Sequence, residues 1–119
     1  MAYCRDIGFA KEKEAADFLK KRGYKILETN FTTSFGEIDI IAEHKKETVF
    51  IEVKYRKNLS GGAPQEAVNK AKQRKIIKSA ILYIKRNRVK DAFRFDIVSI
   101  CGGRFEIIES AFSSDEYFI

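Results

Sequence analysis

Gly36-Glu-Ile-Asp-Ile-Ile-Ala-Glu-His-Lys-Lys-Glu-Thr-Val-Phe-Ile-Glu-Val-Lys54 is the stretch whose reading decides the fold. Ile38, Ile40 and Ala42 alternate with Glu37, Asp39 and Ile41, and Val49, Ile51 and Val53 alternate with Phe50, Glu52 and Lys54. A period of two marks strands with unlike faces. Directly opposed residues of an antiparallel pair point to the same side of a sheet, so matching apolar face to apolar face sets the parity of the register. The parity that stacks Ile38 and Ile40 with Val49, Ile51 and Val53 gathers Glu37, Asp39, Glu52 and Lys54 on the other face. With the turn centred between Lys45 and Lys46, Asp39 faces Glu52 and Glu37 faces Lys54.

That polar face has two readings. A solvated sheet face often alternates Glu and Lys, and Glu37–Lys54 makes a fair cross-strand pair. Alternatively, two carboxylates on neighbouring strands hold a hard divalent cation, since Mg²⁺ is commonly bound by one or two carboxylates together with water and phosphate oxygens. In that reading Asp39 and Glu52 are metal ligands, the Val53 carbonyl adds a third, and Lys54 reaches the phosphate. A partly desolvated Lys54 beside a cation would have a lowered pKa and help position or deprotonate a nucleophile. An Asp…Glu-x-Lys match is short and occurs by chance in many charged chains.

Working outward, Phe9 to about Arg22 has helical spacing, with Ala15, Ala16, Phe18 and Leu19 as its apolar stripe. Gly23 suits the helix end, and Lys20, Lys21 and Arg22 complement the negative end of the helix. Tyr24 to about Glu28 reads as a strand and Thr29–Gly36 as a loop. Beyond the hairpin, Lys57-Asn-Leu-Ser-Gly-Gly-Ala-Pro64 is built of turn formers, and is either a mobile arm beside the site or an ordinary connection. Residues 65 to about 86 form the longest helical pattern, with Pro64 near its first turn and Ile77, Ala80, Ile81 and Ile84 facing inward. Projected back, the stripe becomes Gln73, Lys70 and Glu66, which suits a helix overlooking a polar site as well as one whose first half faces water. The helix and its exit hold the densest basic run, including Lys70, Lys72, Arg74, Lys75 and Lys78. Phe93 to about Ile100 and Arg104 to about Glu109 are the last two strands, around Gly102-Gly103. Arg94-Phe-Asp96 either lends Asp96 to a site or, the favoured reading, forms a strand-end salt bridge, and the lone histidine, His44, reads as an exposed turn residue. The order helix, three strands, helix, two strands implies an α/β or α+β domain spanning 1–119, with a central mixed sheet flanked by helices.

Composition narrows the classes. A chain of 119 residues with 45% apolar content carries one modest core. Lys plus Arg number 23 against 17 acids, a net charge of +6 that suits a polyanion without identifying one. Cys4 and Cys101 are too few and too distant for a metal-ligand spacing and read as a terminal thiol and a strand-buried thiol. No apolar run approaches a membrane span and no apolar segment precedes Lys11, so a cytoplasmic protein with no membrane partner is expected.

Gly36-Glu-Ile-Asp-Ile-Ile-Ala, Val-Phe-Ile-Glu-Val-Lys-Tyr-Arg56, Lys72-Gln73 and Arg94-Phe-Asp-Ile-Val98 occur here in one order. In this combination, from about Gly8 to Phe112, the chain resembles the YraN-like family of small bacterial proteins, which is similar to archaeal Holliday-junction resolvases and to nucleases of the restriction-endonuclease-like fold. The resemblance implies a restriction-endonuclease-like core with a five-stranded sheet and an Mg²⁺ (or Mn²⁺) site. Asp39 and Glu52 would be ligands and Lys54 the catalytic lysine. Glu12 matches the acid of the family's N-terminal Gly-Glu pair, which completes the metal shell in related nucleases; Lys11 stands at the glycine position, so the helix need not approach the sheet as it does there. Gln73 matches a polar residue directed at the site from the following helix. The implied partner is nucleic acid, DNA in the first instance with branched DNA among its forms, and a homodimer is the arrangement of related resolvases. Three functions stand open: a metal-dependent endonuclease, a nucleic-acid-binding module without turnover, and a protein-interaction domain with an incidental acidic patch.

Overall fold

The computed structural model of the protein describes residues 9–56 and 68–114. Helix α1 (Phe9–Lys21) precedes strands β1 (Lys25–Thr33), β2 (Gly36–His44) and β3 (Glu47–Tyr55); helix α2 (Lys70–Asn87), β4 (Phe93–Cys101) and β5 (Arg104–Phe112) follow. The five strands lie in the order β1-β2-β3-β4-β5. Only β3 and β4 pair in parallel, and α2 lies in the crossover that a parallel pair requires. This is the expected α+β arrangement of a central mixed sheet and flanking helices.

Both faces of the sheet carry a core. Ala15, Leu19, Ile40, Ala42, Val49, Ile51, Val98 and Ile100 form the one under α1. Ile38, Ile41, Phe50, Ile76, Ile77, Ala80, Tyr83, Phe95 and Ile97 form the one under α2. The face that is solvated in one of the two readings is therefore largely covered: Ile41 and Phe50, which share the polar residues' parity, are buried. Lys45 and Lys46 form the expected two-residue turn, both at positive φ (50° and 66°), the handedness that matches strand twist.

Several boundaries differ from the sequence reading. β1 continues through Thr29–Thr33, expected as loop, and pairs with β2 as far as Gly36. Its polar residues are tolerated because β1 is an edge strand. α2 begins at Lys70 rather than near 65, because Asn69 is extended and its side chain accepts the Lys72 N–H at 2.9 Å. Its buried residues are Ile76, Ile77, Ser79, Ala80 and Tyr83, with Ile81 and Ile84 at the margin. The 57–64 arm and Glu66 lie outside the described residues. Cys101 is not the free thiol expected but is disulfide-bonded.

His44 is likewise not exposed. It is buried at the end of β2, stacked on Tyr24 with centroids 3.9 Å apart, and its Nδ1 meets an Arg94 guanidinium nitrogen. Arg94 also donates to Asp96 at 3.1 Å, Glu47 at 2.8 Å and the Tyr24 hydroxyl at 3.1 Å. The expected Arg94–Asp96 pair thus exists, in the interior rather than at a surface, and Asp96 is fully buried. The full set of donors and acceptors makes that burial tolerable.

Candidate functional site

β2 changes face at Asp39. Ile40 and Ala42 pack under α1, but Ile38 packs under α2 with Ile41 and Phe50, so the expected stacking of Ile38 with Ile40 does not hold. Across the pair, Asn30 of β1 sits at φ 54°, in the left-handed region that asparagine enters more readily than most residues. The β2–β3 ladder runs from His44↔Glu47 to Ile40↔Ile51 and ends there, one pair short of Asp39–Glu52. Beyond it the Val53 N–H donates to Asp39 Oδ2 at 2.8 Å, so a carboxylate takes the place of a ladder carbonyl. The expected Val53 contribution was its carbonyl; the contact observed is through its amide.

The irregularity collects acids. Glu12 from the first turn of α1, Glu37 and Asp39 each present an oxygen, all within 4.8 Å of one another. Asn30 Nδ2 donates to Glu12 Oε1 at 2.7 Å and to Glu37 Oε1 at 3.3 Å, while Thr32 Oγ1 donates to Glu37 Oε2 at 3.3 Å. Lysine at position 11 has therefore not kept Glu12 from the sheet. Glu37 was grouped with this face from its parity, but its partners are Asn30 and Thr32 rather than Lys54. Nothing in the sequence pattern singled out Asn30; the one signal was an asparagine between the strand formers Thr29 and Phe31.

Charge accumulates against this arrangement. Burial, then the charge of Glu52, pushes the Asp39 carboxyl up to about 8; the Val53 N–H opposes the rise, and Glu37 adds to it. Glu52 is 7% exposed, and its Oε1 has no hydrogen-bond partner. Its Oε2 lies 3.6 Å from Nζ of Lys72 on α2. Hard oxygen donors, mutual repulsion and an orphaned buried acceptor together fit an Mg²⁺- or Mn²⁺-type cation, which would relieve the last two.

The remaining candidates are arranged around this centre. Lys54 is exposed on β3, two residues past Glu52, so the expected desolvation is absent. Gln73 is half-buried and donates its amide to the Val68 carbonyl at 2.9 Å. Lys72, read only as a phosphate contact, is the ammonium that reaches Glu52. Lys70, Lys72, Arg74, Lys75 and Lys78 are all exposed along the N-terminal half of α2, whose first turn has no acid.

A family profile described as "Uncharacterised protein family UPF0102" matches residues 11–100. The chain belongs to this family. UPF0102 is the YraN-like family of the sequence resemblance. Its members include a UPF0102 protein of Clostridium botulinum strain 657, 50% identical over 103 residues that make up 84% of each chain. A second, from Fusobacterium nucleatum, is 45% identical over 113 residues, 94% of this chain and 95% of its own. A third, from Caldanaerobacter subterraneus, is 47% identical over 97 residues, 81% of this chain and 80% of its own. The UPF0102 match spans Glu12, Asn30, Glu37, Asp39, Glu52, Lys54 and Lys72. Among the described residues no helix is long and apolar enough to cross a membrane.

Proposed function

We propose that this UPF0102 protein is a metal-dependent endonuclease that hydrolyses phosphodiester bonds in DNA. The observation that carries the reading is the convergence of Glu12, Glu37 and Asp39 next to buried, half-satisfied Glu52, beside a helix of exposed lysines. Glu12, Glu37, Asp39 and Glu52 are the residues that would hold Mg²⁺ or Mn²⁺. A divalent ion there supplies charge stabilisation at phosphoryl oxygens and makes water a better nucleophile at neutral pH.

The chain's own groups do the rest. The Val53 N–H fixes the Asp39 carboxylate, and Asn30 holds Glu12 and Glu37. Preorganised acceptors of this kind lose little on binding. Exposed Lys54 is free to meet a phosphate oxygen or to orient the attacking water, as a lysine two residues beyond a site carboxylate on one strand face can. Lys70, Lys72, Arg74, Lys75 and Lys78 bind backbone phosphates near the positive end of α2. Gln73 borders the same region on α2, with its amide donated to the Val68 carbonyl.

Labelled linear, flapped and four-way DNA incubated with Mg²⁺ or Mn²⁺ tests the reading. Cleavage that Asp39→Ala, Glu52→Ala and Lys54→Ala each abolish supports it; no cleavage with either metal refutes it. A second reading, nucleic-acid binding without turnover, draws on the Lys72–Glu52 pair, in which an ammonium of the chain already neutralises one acid. It predicts binding indifferent to chelators, with a salt slope of about −0.9 per phosphate neutralised on duplex DNA.

A further inference from the structure

Phe35 is 42% exposed at the two-residue turn between β1 and β2. Phe93, comparably exposed, rests edge-on against Phe50 and Phe95. Among the described residues, Phe35 has one ring contact, with Lys78, whose Nζ lies 5.4 Å from the ring centroid. The turn is held from beneath. Thr33 Oγ1 accepts the Phe35 N–H at 3.0 Å and lies 2.7 Å from Oγ of Ser79, which is fully buried in α2. Gly36, the next residue, has its Cα against Lys75, since a Cβ built there would stand 3.7 Å from that of Lys75. Glu37 and Asp39 then follow along β2. An apolar ring is thus held at a braced turn, in water beside Lys78 and two residues before Glu37 in the chain.

That setting selects an occupant. Lys75 and Lys78 favour a polyanion, and an exposed aromatic ring with an ammonium beside it suits a nucleobase, whose flat face stacks while its phosphates meet the lysines. A base inside a continuous duplex already has both faces covered and is not available. The geometry points to Phe35 as a stacking platform for an unpaired base, so that the preferred substrate is DNA carrying an unpaired nucleotide next to the scissile region. This rests on the nuclease reading above and adds a specificity residue to it.

The test compares wild type, Phe35→Ala and Phe35→Trp in chelator on three oligonucleotides of related sequence: continuous duplex, duplex with a single-stranded flap, and single strand. A 2-aminopurine at the first unpaired position reports stacking by its quenching. Phe35→Ala is expected to weaken flap and single-strand binding about tenfold, to abolish the quenching, and to leave duplex binding unchanged; Phe35→Trp retains all three. Equal loss on duplex and flap, or quenching that survives Phe35→Ala, overturns the inference and leaves the nuclease reading standing. So does unchanged DNA binding with a change in oligomeric mass, which would assign the ring to a second copy. Absence of binding to all three DNAs together with absence of cleavage overturns the nuclease reading itself.

Discussion

Removing the charge of Asp39 should stabilise the metal-free protein at alkaline pH. In the unfolded chain this carboxyl ionises near 3.8; in the fold it is held up to about 8 by burial and by Glu52. Between those values the folded protein keeps a proton that the unfolded chain releases. Stability attributable to this group is therefore complete below about pH 4 and falls as pH rises, until it is lost above about pH 8. Each tenfold change in proton affinity is worth about 1.4 kcal/mol, so the rise bounds the effect at about 6 kcal/mol. Solvent at the part-exposed carboxyl and sharing of the proton with Glu52 reduce it to about 2–3 kcal/mol. Asp39→Asn is the appropriate variant because an amide oxygen still accepts the Val53 N–H. Urea unfolding in EDTA at steps from about pH 5 to about pH 9 should give a falling curve for wild type and a flatter one for Asp39→Asn. The two should diverge progressively toward alkaline pH, and added Mn²⁺ should restore wild type but not the variant. Parallel curves would show that the acids do not repel one another as their positions demand.

Asn30→Gly keeps the left-handed backbone but loses the amide that holds Glu12 and Glu37, so Mn²⁺ affinity measured by calorimetry should fall about tenfold, with thermal stability nearly unchanged. Arg94→Met leaves the Asp96 carboxylate buried without its cation and should cost about 3–5 kcal/mol in urea unfolding. Asp96→Asn in the same chain should recover part of that, and strict additivity would contradict the pairing. Burial and Arg94 keep the His44 pKa below its ordinary value, so its stabilising neutral form holds above about pH 6.5 and is lost as pH falls through the lowered value. His44→Gln should flatten this acid limb of the stability curve, and an unaltered limb would count against the contact with Arg94.

Period-two alternation was enough to place β2, β3 and the turn at Lys45-Lys46 and to bring Asp39 and Glu52 near each other, because strand register is a local consequence of which side chains avoid water. Gly23, at φ 89°, and the basic last turn marked the end of α1 for equally local reasons. The burial of His44 was not legible, since its partners Tyr24 and Arg94 are 20 and 50 residues distant and a hairpin end ordinarily faces solvent. Nor was the reach of Lys72 to Glu52, which depends on how α2 lies across the sheet.

The sequence by itself determined the elements and their polarity: which segments alternate, which coil, and that acids and bases would lie on adjoining surfaces. Tertiary structure alone decided the centre. Ile38 and Ile40 pack into opposite cores, the ladder stops before Asp39, and the first turn of α1 brings Glu12 to the same place as Glu37. These contacts are set by packing on two faces of one sheet, and neighbour-to-neighbour periodicity carries no record of the second face.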